Sequence, residues 1–280
     1  MRNFIEITDR SVRLIRFATM LAACASLLLS AASCLTAQTP ARTLVAVFAH
    51  GDDEVTVAPI LARYAREGAR VYLIVATDGA QGGSHTTIPR GPELARARAD
   101  EVGCAAAALG IQPPILLGFA DGKLGDYVAD ASLLYRLTQR MYEELRRLHP
   151  DALITFGPDG AVGHPDHRLV GDLVAQLVRA GAPGVPERLY YATLPAESIR
   201  AMNPQRGEPP MLIPQAKYLS VRVPFTSTDL AASRRAMACH VTQYDEVVIQ
   251  RVQPKMGEAW NSEILLAPAF SSTPGTDLFR

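Results

Sequence analysis

The chain carries no excess of either charge. Its 280 residues hold 28 basic and 28 acidic side chains, a formal net charge of zero. No basic run tracks a phosphate backbone, so nucleic acid is excluded as a partner. Cysteine is scarce as well, at four. Cys24 and Cys34 lie near the N-terminus, while Cys104 and Cys239 stand alone, without zinc-finger spacing. Those two are expected to act as small buried hydrophobes, with a bridge between them as the alternative in an oxidising compartment. No Gly-x-Gly-x-x-Gly follows the first hydrophobic run, which argues against a dinucleotide enzyme. The apolar stretch Phe17 to Ala32 is only 16 residues long, short of the roughly 20 needed to span a bilayer.

That stretch follows Arg2, Arg10, Arg13 and Arg16 and ends in small residues, the composition of an export signal over residues 1–37. The protein is therefore expected to be exported, with no stable membrane span once the leader is cleaved. Ala31-Ala32-Ser33-Cys34 has the outline of a lipoprotein processing site, but Ala31 stands where an aliphatic residue belongs. The remaining 38–280, with 48% hydrophobic residues in the whole chain, suit one α/β domain. Apolar runs place strands at 43–49, 70–77, 114–119, 152–156 and 188–193. Helical periodicity covers 54–67, 92–109, 130–148 and 166–180, with a further helix at 227–243. Alternating strands and helices predict a Rossmann-like doubly wound, mostly parallel sheet flanked by helices. Ile264-Leu265-Leu266 reads as an added edge strand, and the rest of 244–280 gives little signal.

The most informative segment is His50-Gly51-Asp52-Asp53-Glu54, at the end of the run Leu44 to Ala49. Open α/β sheets bind ligands beyond the carboxyl ends of such strands. Adjacent acids at a strand-to-helix turn diverge, so one can ligate a cation while the other faces substrate. Capping of the next helix is the bland alternative. A second strand edge carries His164-Pro165-Asp166-His167. If His164 caps a helix beginning at Pro165, His167 lies one turn along on the same side. His50, Asp53 and His167 then make a three-ligand set with an open fourth position, the pattern of a hydrolytic zinc centre.

These two motifs resemble those of the LmbE-like, or PIG-L, family of zinc-dependent N-acetylglucosaminyl deacetylases, and the resemblance extends over nearly all of 43–243. Weaker matches are Thr77-Asp78-Gly79, Arg98-x-x-Glu101, Asp121-Gly122 and His240-x-x-Gln243. The resemblance implies Zn²⁺, or another divalent metal, on His50, Asp53 and His167, and Asp52 as general base. It also implies His164 as electrophile or acid, oriented by Asp166. Arg98 and Asp121 would hold sugar hydroxyls, and His240 would contact the substrate or stand behind it. The substrate class implied is an N-acetylated amino sugar or glycoconjugate. Gly51 replaces the family's usual Pro, Gln81-Gly82-Gly83 replaces an acidic loop, and Val162 stands where some members carry a Tyr that helps polarise the carbonyl. Other readings of the same residues are a metal-dependent amide or ester hydrolase with a different acceptor, and a non-catalytic carbohydrate-binding protein.

Overall fold

Thr43–Phe48 forms strand β1, and all six residues are buried. A strand whose alternate side chains are both covered must lie inside a sheet with helices on each face. In the computed structural model, which describes residues 41–193, 214–270 and 274–280, β1 has parallel neighbours on both sides. Arg70–Thr77 (β2) pairs from Thr43↔Arg70 to Phe48↔Val75. Ala152–Phe156 (β4) pairs from Leu44↔Ala152 to Ala46↔Ile154. Ile115–Phe119 (β3) lies outside β2, and Leu189–Ala192 (β5) lies outside β4. Among the described residues the sheet has seven strands in the order β3-β2-β1-β4-β5-β7-β6, where β6 is Val221–Pro224 and β7 is Glu263–Pro268. The chain steps outward from β1 to β3, then returns to start again at β4. The ends of β1 and β4 therefore flank a topological switch point, where α/β sheets open a crevice.

Period-two alternation sorts the strand residues between two cores. Leu44, Ala46 and Phe48 pack on one face against helices α1 (Ala58–Arg66), α2 (Pro92–Leu109) and α5 (Ser227–Cys239). Val45, Val47 and Ala49 pack on the other against α3 (Ala131–Leu148) and α4 (Pro165–Arg179). Local chemistry sets the helix ends. Asp130 accepts the Ser132 N–H to start α3. Thr226 and Asp229 form a reciprocal capping box at α5. Pro165 follows His164 directly into α4.

The single predicted helix 54–67 is a 3₁₀ turn, Asp53–Thr56, followed by α1. The last third differs more. Glu263–Pro268 (β7) is not an edge strand: it lies antiparallel between β5 and Val221–Pro224 (β6), which forms the edge. Residues 246–260, silent in the sequence, form helix α6 (Glu246–Trp260). The helix predicted over 227–243 stops at Cys239, with His240 leaving helical geometry at φ −85° and ψ 58°, and Cys239 is tied to Cys104 of α2 by a disulfide with a Cα–Cα distance of 5.8 Å. The expectation of two small buried thiols is thus corrected to a bridge. A cross-link closing a loop of 135 residues contributes on the order of 4–5 kcal/mol in the chain-entropy picture. No helix among the described residues is long and apolar enough to cross a membrane. The expected leader lies outside the described residues.

Gly171 seats α4 on β4: a Cβ there would stand 2.2 Å from the Phe156 carbonyl oxygen. Gly171→Ala is expected to push the helix outward and lower stability by about 1–3 kcal/mol, the usual cost of overpacking, read from the urea unfolding midpoint. An unchanged midpoint would mean that the helix does not approach the strand this closely.

Candidate active site

Beyond the end of β1, Asp53 turns back on its own strand. Its Oδ2 accepts the backbone N–H groups of Ala49 at 3.1 Å and His50 at 2.8 Å. Oδ1 is left facing Nε2 of His167, 3.1 Å away. His167 comes from the other side of the crevice, one turn into α4. Its Nδ1–H donates to the Gly160 carbonyl at 3.0 Å, which leaves Nε2 as the lone-pair nitrogen. The ring stacks on Phe156, the last residue of β4, with centroids 4.6 Å apart. Nδ1 of His50 lies 2.9 Å from that same Nε2 and 3.7 Å from Asp53 Oδ2.

Two imidazole nitrogens 2.9 Å apart share either a hydrogen, with His50 Nδ1–H donating to His167 Nε2, or a metal ion. A tetrahedral zinc centre with bonds of about 2.0–2.1 Å has ligand–ligand edges of roughly 3.3 Å. The 2.9 and 3.1 Å spacings around His167 Nε2 lie near that value, and the 3.7 Å spacing from His50 runs to the other Asp53 oxygen, Oδ2, so the three side chains stand close enough together to hold a divalent cation. His164 extends the cluster, with one nitrogen of each of the three histidines within 4.8 Å of the others.

His50 Nε2 has two more carboxylates beside it, Asp121 Oδ1 at 3.2 Å and Asp166 Oδ2 at 3.5 Å. Neither is aligned for a hydrogen bond, and the nitrogen has no other partner, so the attraction is one of charge. Burial works against charge on His50, but Asp121, Asp166 and Asp53 outweigh it and raise the imidazole to about 10. Burial likewise opposes ionisation of Asp121; His50, the Gln81 N–H and Arg98 overcome it and hold the carboxyl at about 2. The imidazoles of His167 and His50 keep Asp53 well below the usual carboxylate range in the same way, against its own burial. Buried carboxylates gathered round imidazoles favour positive charge at their centre.

Asp52, next in sequence to Asp53, faces a different way. Arg98 Nη2 donates to its Oδ1 at 2.8 Å, and the Tyr244 hydroxyl donates to its Oδ2 at 3.2 Å. His164 caps α4 by accepting the Asp166 N–H on Nδ1 at 3.2 Å. In the neutral ring the hydrogen then sits on Nε2. Burial and the fields of His50 and His167 lower the His164 pKa, favouring that neutral form.

His50, Asp52, Asp53, Arg98, Asp121, Val162, His164, His167 and Tyr244 all line one cavity of about 1060 Å³. Several predicted residues make unexpected contacts. The Asp166 carboxylate accepts the Gly122 N–H at 2.9 Å and faces His50; its backbone, not its carboxylate, holds His164. Asp121 Oδ2 accepts the N–H groups of Gln81 and Gly82, both at 3.0 Å, so this residue braces the loop and His50. Arg98 also donates to the Gly82 carbonyl at 3.0 Å, and a Cβ on Gly82 would lie 2.1 Å from its Nη1. His240, expected either at the substrate or behind it, is 1% exposed and lies behind the site, its Nε2 2.6 Å from Glu54 Oε1. Glu54 supplies the counter-charge that raises the His240 pKa against its burial.

Sequence reasoning missed the residues that follow His240. Thr242 donates to Glu101 through its N–H and its hydroxyl, both at 2.8 Å. Gln243 donates to the Gly82 carbonyl at 2.6 Å, and Tyr244 reaches Asp52. The His-x-x-Gln pattern marked the segment, but nothing in it marked the Tyr.

Comparison with known proteins settles the lineage. A 1D-myo-inositol 2-acetamido-2-deoxy-alpha-D-glucopyranoside deacetylase of Nakamurella multipartita is 32% identical over 241 residues, covering 75% of this chain and 82% of the relative. The PIG-L family, described as GlcNAc-PI de-N-acetylase, matches residues 45–178. The chain belongs to the PIG-L family. The N,N'-diacetylchitobiose deacetylase of Pyrococcus horikoshii shares the fold, with a TM-score of 0.58 at 20% identity over 82% of this chain and 84% of that one. So does a 4-carboxy-2-hydroxymuconate hydratase of Pseudomonas putida, with a TM-score of 0.56 at 16% identity over 82% and 97%. The fold alone thus does not fix the reaction; within it, the side chains at the strand ends must.

The geometry separates the neighbouring acids. Asp53→Ala is expected to weaken Co²⁺ or Zn²⁺ binding by more than about 100-fold, beyond the usual cost of losing an outer-shell partner, whereas Asp52→Asn should keep near-stoichiometric metal in equilibrium dialysis. The reverse pattern would exchange their roles.

Proposed function

We propose that this chain is an exported, zinc-dependent N-deacetylase that hydrolyses the acetamide of an N-acetylglucosamine-type amino sugar or glycoconjugate. One observation carries the reading: a carboxylate gripped by two donors, Asp52, stands in the same cavity as the His50, Asp53 and His167 set. A binding protein that merely retained a structural cation has no need of that carboxylate or of His164.

His50, Asp53 and His167 would hold Zn²⁺, which would supply Lewis acidity to the acyl carbonyl and lower the pKa of a bound water. Two imidazoles and a carboxylate are the donor types zinc favours, although another divalent ion fits the same set. Asp52 takes the proton of the attacking water, its two oxygens held by Arg98 and Tyr244 so that the carboxylate keeps one orientation. His164 Nε2–H donates to the oxyanion as the carbonyl carbon becomes tetrahedral. The C–N bond then breaks, and the proton held by Asp52 passes to the departing nitrogen, leaving acetate and a free amine. Val162 contributes only apolar wall, so His164 is the side-chain donor for the oxyanion.

The amino-sugar assignment is supported by family membership and by the N-acetylated sugar in the Nakamurella relative's name. Export is supported by the arginine-flanked leader at 1–37, and a disulfide joining Cys104 to Cys239 suits an oxidising compartment.

Amine release from N-acetylglucosamine conjugates, followed with and without a chelator, tests the activity. Turnover should vanish with the chelator and return with Zn²⁺; sugar binding without amine release would favour a carbohydrate-binding protein instead. Asp52→Asn should lower kcat about 10²–10⁴-fold, the scale of a general base. Tyr244→Phe should lower kcat by roughly tenfold with little change in KM, as expected for one hydrogen bond to a charged group. Sequencing the N-terminus of the secreted protein checks export: a start near Gln38 is expected, and a cytoplasmic chain beginning at Met1 would exclude it.

A further inference from the structure

The cavity has a second, chemically different wall. Helix α6 contributes Arg251, Val252, Lys255 and Met256 to it. Arg251 and Lys255 are four residues apart, one helical turn, and so lie side by side on the same face. Both are exposed, and the adjacent Val252 and Met256 supply apolar contact between helix and cavity. The other arginine lining this cavity, Arg98, is neutralised by Asp52 at 2.8 Å. Arg251 and Lys255 meet no carboxylate among the described residues. Two unpaired positive charges one turn apart repel each other, and a neutral sugar offers them hydrogen-bond acceptors but no charge to offset that repulsion. A guanidinium fork beside an ammonium matches a group with several anionic oxygens.

We propose that Arg251 and Lys255 form an anion-binding subsite, and that the sugar processed here carries a phosphate or carboxylate apart from its acetamido group. The inference rests on the deacetylase reading for the identity of the sugar, and on the cavity alone for the charge. The acidic group would dock on α6 while the acetamide reaches Asp52 and His164, so the charge selects among N-acetylated sugars without taking part in bond breaking.

Three probes differing only in this respect test it: N-acetylglucosamine, N-acetylglucosamine 6-phosphate and N-acetylmuramic acid. Wild-type kcat/KM should favour at least one acidic probe over the neutral one by roughly 5- to 20-fold, mainly through KM. Added salt should shrink the preference. The R251Q/K255Q protein should lose most of the ratio, and R251K should retain most of it. Preference for the phosphate alone or for the carboxylate alone identifies which group is recognised, and both support the subsite. Equal or better use of the neutral probe, or a preference that survives R251Q/K255Q, overturns it. Calorimetric binding of glucosamine 6-phosphate against glucosamine reads the same subsite without turnover. Charge-dependent binding with no amine release from any probe would uphold the subsite and refute the deacetylase reading; turnover with no charge preference would do the opposite.

Discussion

The Asp53 carboxylate joins the two halves of the site. One oxygen closes the end of β1 on the N–H groups of Ala49 and His50, and the other faces His167 from α4. Burying such a charge costs several kcal/mol unless donors surround it. Here the two N–H donors come from the end of β1 and the facing imidazole from α4, so the carboxylate is enclosed on both sides only when β1 and β4 lie side by side with α4 seated above them. Gly171 permits that seating and the Gly160 carbonyl fixes the tautomer of His167. The local turn after β1 and the long-range packing of α4 are therefore one condition, and the spacing of His50, Asp53 and His167 follows from it.

A second shell of contacts holds what the first leaves free. After α5 ends at the disulfide-bonded Cys239, the next five residues lie across the rim of the crevice. His240 meets Glu54, Thr242 meets Glu101, Gln243 meets the Gly82 carbonyl and Tyr244 meets Asp52. Each partner belongs to a segment that the N-terminal half delivers to the crevice. The cross-link between Cys104 and Cys239 holds this rim against α2, the helix that also carries Arg98 and Glu101. Both oxygens of Asp52 are gripped from elements set by that same link, Arg98 on one side and Tyr244 on the other.

Much of this was legible because it is local. The strands β1 to β5 are apolar runs of five or so residues bounded by turn chemistry, and a buried parallel strand leaves no other composition available. His164 before Pro165 announced its own cap, and the pairing of His50-x-Asp52-Asp53 with His164-x-x-His167 announced two converging edges. What was not legible depends on distance. β6 is four residues long and takes its place only by pairing with β7, whose position between two strands no local pattern encodes. α6 contains Pro254, a residue that ordinarily argues against a helix interior. Cys104 and Cys239 could be paired only once α2 and α5 were known to pack side by side. Asp121 and Arg98 fell in recognised motifs, but whether they point at a sugar or brace His50 and Asp52 depends on where Gly82 passes, and a side chain on Gly82 would collide with the guanidinium.

Asp52 and Asp53 show how little separates positioning from chemistry. They are the same residue type, bonded to each other, and no composition or propensity argument assigns them different work. The backbone does: Asp52 sits before the 3₁₀ turn with φ −119° and ψ 1°, and Asp53 opens it. One step along the chain turns the second carboxylate inward to the N–H groups of its own strand and leaves the first in the cavity with its oxygens held by an arginine and a tyrosine. A fold shared with a hydratase can therefore host a different reaction without changing its sheet. What the proposed hydrolysis depends on is the turn that points one acid at His167 and leaves its neighbour in the cavity, together with the rim that stops the neighbour from following.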